Sequence, residues 1–183
     1  MRMNKVLFAM LVAVAAFVSG CASHHPQPPP ASTKIETNPQ KITPFLWFDG
    51  KAEEAAKFYT SVFKHARIVT SNPMMATFEL EGVEFMALNA GPQFKFTEAI
   101  SFNVNCETQE EIDYFWEKLT ADGGEPGPCG WLKDKFGLSW QVAPAKVGDW
   151  ITDPDKAKSA RVFRAYNTMG KIEIAALEKA FAG

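Results

Sequence analysis

The sequence predicts an α+β fold made of two tandem βαβββ modules followed by C-terminal helices. Three observations predict it. Short apolar segments alternate with amphipathic helical segments, the order of one strand, one helix and three strands occurs twice, and a shift of 56 residues overlays the two halves. The domain is therefore expected over residues 41–146, with modules at about 41–90 and 97–146. Residues 147–183 are expected to be a helical extension of the same domain.

The first module begins with a predicted strand over Ile42–Phe48, with Pro44 near its start or at a sheet edge. A turn at Asp49-Gly50 leads into a helix with small and apolar residues on one face and charged residues on the other. The apolar face consists of Ala52, Ala55, Ala56, Tyr59, Val62 and Phe63. Three strands then follow, with a turn at Glu81-Gly82 before the last. They are predicted over Ala66–Ser71, Met75–Leu80 and Val83–Asn89.

The second module repeats this order. Ile100, Phe102 and Val104 alternate with polar residues and predict a strand. Thr108 and Glu111 form a capping box at the start of the next helix. Its apolar face is Ile112, Phe115, Trp116 and Leu119, and Asp122-Gly123-Gly124 ends it. Strands are predicted over Glu125–Pro128, Gly130–Lys133 and Leu138–Ala143, with a turn at Phe136-Gly137.

The tail is predicted to be helical. Asp153-Pro154 has the pattern of an N-cap followed by proline at the first helical position, so a helix is expected from there to about Met169. Gly170 ends that helix. A second helix is predicted over Glu173–Phe181, because its apolar residues recur on one face.

The N-terminus has the pattern of a bacterial lipoprotein signal peptide over residues 1–20. Arg2 and Lys5 precede Val6–Val18, an apolar run of 13 residues, which is shorter than the roughly 20 residues of a membrane-spanning helix. The quartet Val18-Ser19-Gly20-Cys21 resembles the lipobox, in which the cysteine thiol takes up a diacylglyceryl group. An ordinary secretory signal with a chance cysteine is the alternative.

We therefore expect an exported protein that is anchored to a membrane by lipid on Cys21. Residues 21–40 are polar and Pro-rich and predict an extended spacer. His24-His25 are interpreted as solvated spacer residues, because no third metal ligand is nearby. Ala22 and Ser23 follow the cysteine, where no aspartate is present. In a Gram-negative host the expected location is therefore the outer membrane, with the domain in the periplasm.

The charge balance argues against nucleic acid as a partner. The chain has 19 Lys and Arg against 21 Asp and Glu, and two of the basic residues lie within residues 1–20. The remainder carries 17 basic and 21 acidic residues, a net charge of about −4, which does not attract nucleic acid or anionic lipid headgroups. Cys106 and Cys129 remain beyond Cys21, and the sequence leaves open whether they form a disulfide.

Several long segments resemble one known family. They are KITPFLWFDGKAEEAAKFYTSVF, GPQFKFTEAISFNVNC, GWLKDKFGLSWQVAP and the tail DPDKAKSARVFRAYNTMGKIEIAALEKAFAG. They resemble the PhnB-like branch, also labelled demethylubiquinone methyltransferase-like, of the vicinal-oxygen-chelate superfamily. That superfamily includes glyoxalase I, bleomycin-resistance proteins and extradiol dioxygenases. The resemblance covers about residues 41–183 and implies that the two modules form a glyoxalase-like cup, usually completed in a homodimer.

Metal-using members of this superfamily hold a divalent ion on His and Glu side chains of the first and last strand of each module. The equivalent first-strand positions here are Thr43 and Ala99. The last-strand positions are Gln141 and either Phe85 or Met86, because the register is ambiguous by one residue. None is His, Asp or Glu, so the sequence predicts no metal site of this kind and no metal cofactor. This departure puts metal-dependent isomerase, lyase and dioxygenase chemistry in doubt.

The methyltransferase label has no support from a cofactor motif. A glycine-rich loop that follows a strand and opens a helix is absent, because Gly123-Gly124 ends a helix and Gly127-Pro128-Cys129-Gly130 lies in a turn. We therefore expect no bound cofactor, and we lean towards a protein that is not an enzyme. Catalytic residues cannot be named from the sequence.

Aromatic and polar residues are expected to line the cup. Strand alternation and the resemblance place seven of them there as candidate ligand-binding residues. They are Thr43, Phe45, Trp47, Ser101, Asn103, Trp131 and Gln141. The leading hypothesis is a membrane-tethered, metal-free domain that binds a small molecule. The alternatives are a vicinal-oxygen-chelate enzyme of the lyase or isomerase class with a non-standard site, and a structural envelope lipoprotein whose cup is filled by its own side chains.

Overall fold

The fold is described by a computed structural model, which covers residues 40–183. The first module consists of β1 (Phe45–Phe48), α1 (Ala52–Val62), β2 (Ala66–Ser71), β3 (Met75–Leu80) and β4 (Val83–Asn89). The second module consists of β5 (Phe102–Cys106), α2 (Gln109–Thr120), β6 (Glu125–Pro126), β7 (Trp131–Lys133) and β8 (Ser139–Pro144). The extension consists of α3 (Val147–Ile151), α4 (Lys156–Asn167) and α5 (Ile174–Ala182). The predicted pair of βαβββ modules with C-terminal helices is confirmed.

Each module forms a four-stranded mixed sheet with the same topology. The strand order is β1-β4-β3-β2 in the first sheet and β5-β8-β7-β6 in the second. The first and last strands of each module are parallel neighbours, and all other pairs are antiparallel. The turn between β3 and β4 has positive φ at both Glu81 and Gly82, as a tight two-residue hairpin requires.

One core lies between the two modules. Tyr59 of α1 is fully buried and its ring packs 5.8 Å from that of Phe78 in the first sheet and 5.5 Å from that of Trp140 in the second. The rings of Phe85 and Phe102 join the two sheets directly, 5.1 Å apart. We call the sheet faces that contribute to this core the inner faces. The opposite faces, the outer faces, point away from the core in both modules.

A buried carboxylate links the two modules across this core. Asp134, which is 2 % exposed, lies in the connection between β7 and β8. One oxygen accepts hydrogen bonds from the Tyr59 hydroxyl and the Trp140 indole N–H, both at 2.8 Å. The other accepts from the backbone N–H groups of Phe136, at 2.8 Å, and Leu138, at 3.1 Å. Four donors therefore satisfy a charge that would otherwise be costly to bury.

Four predicted strand starts differ from the structure, and two of them, at Trp131 and Ser139, differ by a single residue. The first strand begins at Phe45 and not at Ile42, because Pro44 has no N–H to donate to the ladder. The Pro44 carbonyl nevertheless accepts a hydrogen bond from the Met86 N–H at 2.9 Å. In the second module the strand begins at Phe102. The strand expected over Glu125–Pro128 is reduced to its first two residues.

The start of the long tail helix was placed two residues too early. Asp155, not Asp153, is the N-cap, because its carboxylate accepts from the backbone N–H groups of Ala157 and Lys158. Asp153 instead accepts from Asp155 N and forms the preceding turn. The short helix α3 was not predicted. The capping box is present, with the Thr108 hydroxyl accepting from Glu111 N at 3.3 Å.

The signal peptide expected over residues 1–20, the lipidation site Cys21 and the spacer up to residue 39 lie outside the described residues. Among the helices that the structure describes, none is both long and apolar enough to cross a membrane.

Removal of the Asp134 carboxylate should destabilise the protein severely. We expect Asp134→Ala to lower the free energy of unfolding by at least about 3 kcal/mol, because four donors lose their acceptor in a dry core. Tyr59→Phe removes one of those bonds and should cost about 1–2 kcal/mol. Urea denaturation of the purified protein measures both. Equal losses in the two variants would show that the carboxylate is not the centre of this network.

The Asp134 carboxyl should also make the stability of the protein depend on pH. Burial raises the pKa of Asp134 above its ordinary value, although the four donors oppose that rise. A raised pKa means that Asp134 binds its proton more tightly in the folded than in the unfolded state. The protonated carboxyl therefore contributes its full share to the free energy of unfolding below about pH 4, and this contribution is lost as the pH rises through the folded-state pKa. The stability difference between wild type and the non-titrating Asp134→Asn should therefore fall with increasing pH above about 4. A difference that is constant with pH would contradict this.

Candidate functional site

The outer face of the second sheet gathers four of the seven candidate residues. The strand register places Gln141 between Asn103 on one neighbouring strand and Trp131 on the other. Ser101 precedes β5, and its hydroxyl accepts from Gln141 Nε2 at 2.8 Å. Asn103 is exposed and its amide donates to Asn105 Oδ1 at 2.6 Å. Strand parity therefore brings these four residues together as expected.

The outer face of the first sheet is apolar around β1, whereas Arg67, Glu79 and Glu84 place charged side chains on the rest of it. Phe45 lies beside Met86, and Trp47 lies beside Leu88. The Trp47 indole N–H donates to the Gly91 carbonyl at 2.8 Å. Phe45 is 52 % exposed, although it is a large apolar residue of a sheet strand. The register also resolves the one-residue ambiguity, since Phe85 is buried on the inner face.

The two outer faces do not meet within one chain. Both inner faces pack on the shared core, so Trp47 of the first sheet and Gln141 of the second point away from that core in different modules. Thr43 lies before β1 and outside the strand ladder. The outer faces of the two sheets are therefore two separate surfaces of one chain.

The outer face of the second sheet holds a cavity of about 470 Å³, which we call the Trp131 pocket. It lies between β7, the start of β8 and the loop that follows β6. Its lining residues are Glu98, Glu125, Pro126, Gly127, Pro128, Cys129, Trp131, Leu132, Lys133 and Ser139. Its volume is in the range typical of small-molecule sites. Of the seven candidates, Trp131 alone lines this pocket.

Ser139 lies in the wall of the Trp131 pocket. It is 1 % exposed, and its hydroxyl has no hydrogen-bond partner among the described residues. Other buried side-chain polar atoms of residues 40–183 are paired. A buried hydroxyl without a partner costs about 1–3 kcal/mol, so it normally serves a purpose beyond folding.

Two opposite charges lie at the same pocket. Lys133 is the strand partner of Ser139, and its ammonium lies 2.5 Å from a Glu98 carboxylate oxygen. The hydrogen bond to Glu98 raises the pKa of Lys133, and the same bond lowers the pKa of Glu98. Both groups therefore stay charged near neutral pH. Glu125, opposite Lys133 on β6, adds a second carboxylate.

The C-terminal extension holds the loop that forms one wall of the pocket. Cys129 N donates to the Met169 carbonyl at 2.7 Å, and Gly130 N donates to the Gly170 carbonyl at 2.8 Å. The Tyr166 hydroxyl donates to the Cys129 carbonyl at 2.7 Å. A Cβ on Gly130 would lie 2.6 Å from the Val142 carbonyl oxygen, so this position requires glycine. The pocket is thus built into the fold.

The two cysteines of the domain do not form a disulfide. Cys106 is buried in β5, and burial, with smaller contributions from Glu111 and Glu107, raises the pKa of its thiol to about 12. Cys129 is half-buried, and its thiol donates to Asn167 Oδ1 at 3.5 Å. The sequence left open whether Cys106 and Cys129 form a disulfide, and in the structure both are free thiols.

The fold is that of an α+β protein of the glyoxalase, or vicinal-oxygen-chelate, type. A family model described as 3-demethylubiquinone-9 3-methyltransferase matches residues 40–143. The chain belongs to this family. No curated protein matches the chain.

One solved structure shows the same relationship, and two others are similar at lower identity. The chain is similar to a PhnB protein from Bacillus cereus, with 43 % identity and a TM-score of 0.52 over 58 % of this chain and all of that chain. It is also similar to a glyoxalase-related enzyme from Fulvimarina pelagi, with 16 % identity and a TM-score of 0.43 over 59 % of this chain and 91 % of that chain. A fosfomycin resistance protein from Listeria monocytogenes shows 16 % identity and a TM-score of 0.45, over 58 % and 90 % of the respective chains.

The residues present do not fit the superfamily's metal ion. The equivalent positions hold a hydroxyl at Thr43, no donor at Ala99, a thioether at Met86 and an amide at Gln141, whereas a tightly held divalent ion needs imidazole or carboxylate ligands. In residues 40–183 no group of three or more His, Cys, Asp or Glu side chains is placed to hold a metal ion.

The glycine-containing loops do not fit a methyl-donor cofactor either. A Cβ on Gly124 would lie 2.7 Å from the Leu119 carbonyl oxygen, so protein backbone already fills that space. In the loop of the Trp131 pocket, the N–H groups of Gly127, Cys129 and Gly130 all donate to backbone carbonyls. No N–H of these three residues is left to hold a ligand phosphate or carboxylate, and we derive no methyl-transfer step.

Several residues of the site were not among the sequence candidates. Alternation places Ser139 on the same face as Gln141, and Lys133 on the same face as Trp131, but parity alone did not distinguish them as site residues. Glu98 and Cys129 lie in loops, and their positions depend on tertiary packing that no local pattern indicates.

The two free thiols should differ in reactivity. Iodoacetamide at pH 8 should modify Cys129 in the native protein, because its thiol is partly accessible, and should modify Cys106 only after denaturation. Peptide mapping by mass spectrometry separates the two sites. Comparable rates at both cysteines in the native protein would contradict the described burial of Cys106.

Proposed function

We propose that this protein is a membrane-tethered lipoprotein whose domain binds a small molecule without a metal ion. The observation that carries the binding proposal is the Trp131 pocket. It combines the Trp131 indole with a buried hydroxyl at Ser139 that has no hydrogen-bond partner among residues 40–183, in a space of about 470 Å³. An apolar wall with few, well-placed polar groups is the usual composition of a small-molecule site.

The working form that we propose is a homodimer. The outer face of the first sheet exposes large apolar side chains, including Phe45 at 52 % and, near the sheet, Phe94 at 66 %. Exposed apolar surfaces of this kind generally mark interfaces. In the proposed dimer the outer face of the first sheet of one copy covers the outer face of the second sheet of the other copy, and each cup contains residues of both.

Native mass spectrometry of the purified protein tests binding and assembly together. We expect two chains, a small-molecule mass that leaves on activation, and no divalent metal. Phe45→Glu should give monomers, because it places a charge in the proposed interface, whereas Phe163→Glu, at a phenylalanine that is 50 % exposed on α4, should remain dimeric.

The binding proposal fails if the dimer is empty as isolated and no compound from a small-molecule library shifts its melting temperature. A bound zinc or nickel ion that resists dialysis would make a metal-dependent enzyme the better account. Dimers that persist equally in both variants would place the interface elsewhere.

Tethering rests on the sequence of the N-terminus. The charged start, the apolar run Val6–Val18 and the quartet ending at Cys21 follow one another in the order of a lipoprotein signal. Acylation at Cys21 would place the domain at a membrane surface through lipid chains, several of which together anchor firmly. The Pro-rich residues 21–40 would hold the domain away from that surface.

Labelling with radioactive palmitate tests the tether. We expect the wild type to incorporate label and Cys21→Ser to incorporate none and to remain an unprocessed precursor. Cys129→Ser is the matched control and should label normally. Label retained by Cys21→Ser would overturn the lipoprotein assignment, and density fractionation that places the wild type in the inner membrane would count against outer-membrane sorting.

A further inference from the structure

The Trp131 pocket carries information about the chemistry of its ligand. Its backbone donors are already committed, since the N–H groups of Gly127, Cys129 and Gly130 bond to the carbonyls of Trp131, Met169 and Gly170 at 2.7–2.8 Å. These bonds hold the wall in place whether or not a ligand is present. A ligand therefore meets a preformed surface and loses little free energy to ordering it.

The Ser139 hydroxyl is the polar group of the pocket wall that lacks a hydrogen-bond partner among residues 40–183. It is 1 % exposed and unpaired, and it lines the pocket together with Trp131 and Lys133. The side chain of its neighbour Gln141 is already bonded to Ser101. Because this hydroxyl is almost inaccessible, a ligand oxygen would receive its hydrogen bond only after a small displacement of the side chains beside it.

The charges at the pocket discriminate against anions. The Lys133 ammonium is 2.5 Å from Glu98, so an anionic ligand would have to displace that carboxylate. With Glu125, the lining residues carry two carboxylates and one ammonium. A cation is therefore attracted weakly, a neutral molecule is accepted, and an anion is repelled. The indole of Trp131 among the lining residues favours an aromatic ligand, and a cation near it gains further attraction.

We propose that the Trp131 pocket binds a flat, neutral or cationic molecule that carries a carbonyl or hydroxyl oxygen, and that Ser139 Oγ donates a hydrogen bond to this oxygen. This inference rests on the proposed small-molecule-binding function and specifies its ligand class. Ser139 is the specificity-determining residue of the site.

Three probes of the same shape test the class. They are para-acetylbenzylamine, which is a cation with a carbonyl, para-ethylbenzylamine, which is a cation without one, and para-acetylbenzoate, which is an anion with one. In NMR titrations of the wild-type protein we expect the first to bind most tightly. The loss of the carbonyl should weaken binding about tenfold, or about 1.4 kcal/mol, as should the reversal of charge.

The variant Ser139→Ala distinguishes a role of the hydroxyl in ligand binding from a role in stability. Removal of an unpaired buried hydroxyl should leave the urea midpoint of the free protein unchanged or higher. The same variant should bind para-acetylbenzylamine about tenfold more weakly and should no longer distinguish it from para-ethylbenzylamine. Ser61→Ala, at an exposed serine on α1, is the control and should change neither property.

The outcomes separate this inference from the proposed function. If para-acetylbenzoate binds best, or if Ser139→Ala keeps full affinity for the ketone, the ligand class is wrong while small-molecule binding stands. A marked loss of stability in Ser139→Ala would show that the hydroxyl serves the fold. If none of the three probes binds the wild type, the inference fails, and the native mass spectrum then decides whether binding fails with it.

Discussion

The buried carboxylate of Asp134 is the interaction on which the arrangement of the two modules depends. It accepts from Tyr59 of the first module and from Trp140 of the second, so one side chain fixes the distance between α1 and the second sheet. The aromatic rings around it supply apolar burial, which is non-directional. The hydrogen bonds to Asp134 supply the direction, and they give the inner faces of both sheets a single relative orientation.

This use of the inner faces determines where binding can take place. Each sheet has two faces, and the shared core occupies one of each. The remaining faces differ in character, since the first sheet offers Phe45 and Trp47, whereas the second offers Ser101, Gln141 and the Trp131 pocket. Membership of a family with a methyltransferase description does not alter this, because catalysis must be argued from the site.

The sequence predicts features that follow from strand and helix periodicity, such as which face a residue lies on. It does not predict contacts between residues that are far apart in the chain. Strand alternation assigned Gln141 and its neighbours to one face correctly, because the period of two leaves no choice once the strand is found. The helix start near Asp155 was misplaced because Asp153 has equal capping chemistry, and only the backbone path decides between them. Asp134 in Lys-Asp-Lys-Phe-Gly looks like a turn residue, and no local pattern indicates that Tyr59, 75 residues away, donates to it.

Asp134 and Ser139 show two opposite treatments of a buried polar group, five residues apart in the chain. The fold surrounds Asp134 with four donors, although a charge is the more expensive group to bury, and leaves the hydroxyl of Ser139 with none. A sequence under pressure for stability alone would replace Ser139 by alanine, which fits the same space without a polar atom. The polar atom is retained beside a cavity and not within the core. Because buried polar groups are generally paired, the Ser139 hydroxyl is an exception among residues 40–183, and the proposed ligand class depends on it.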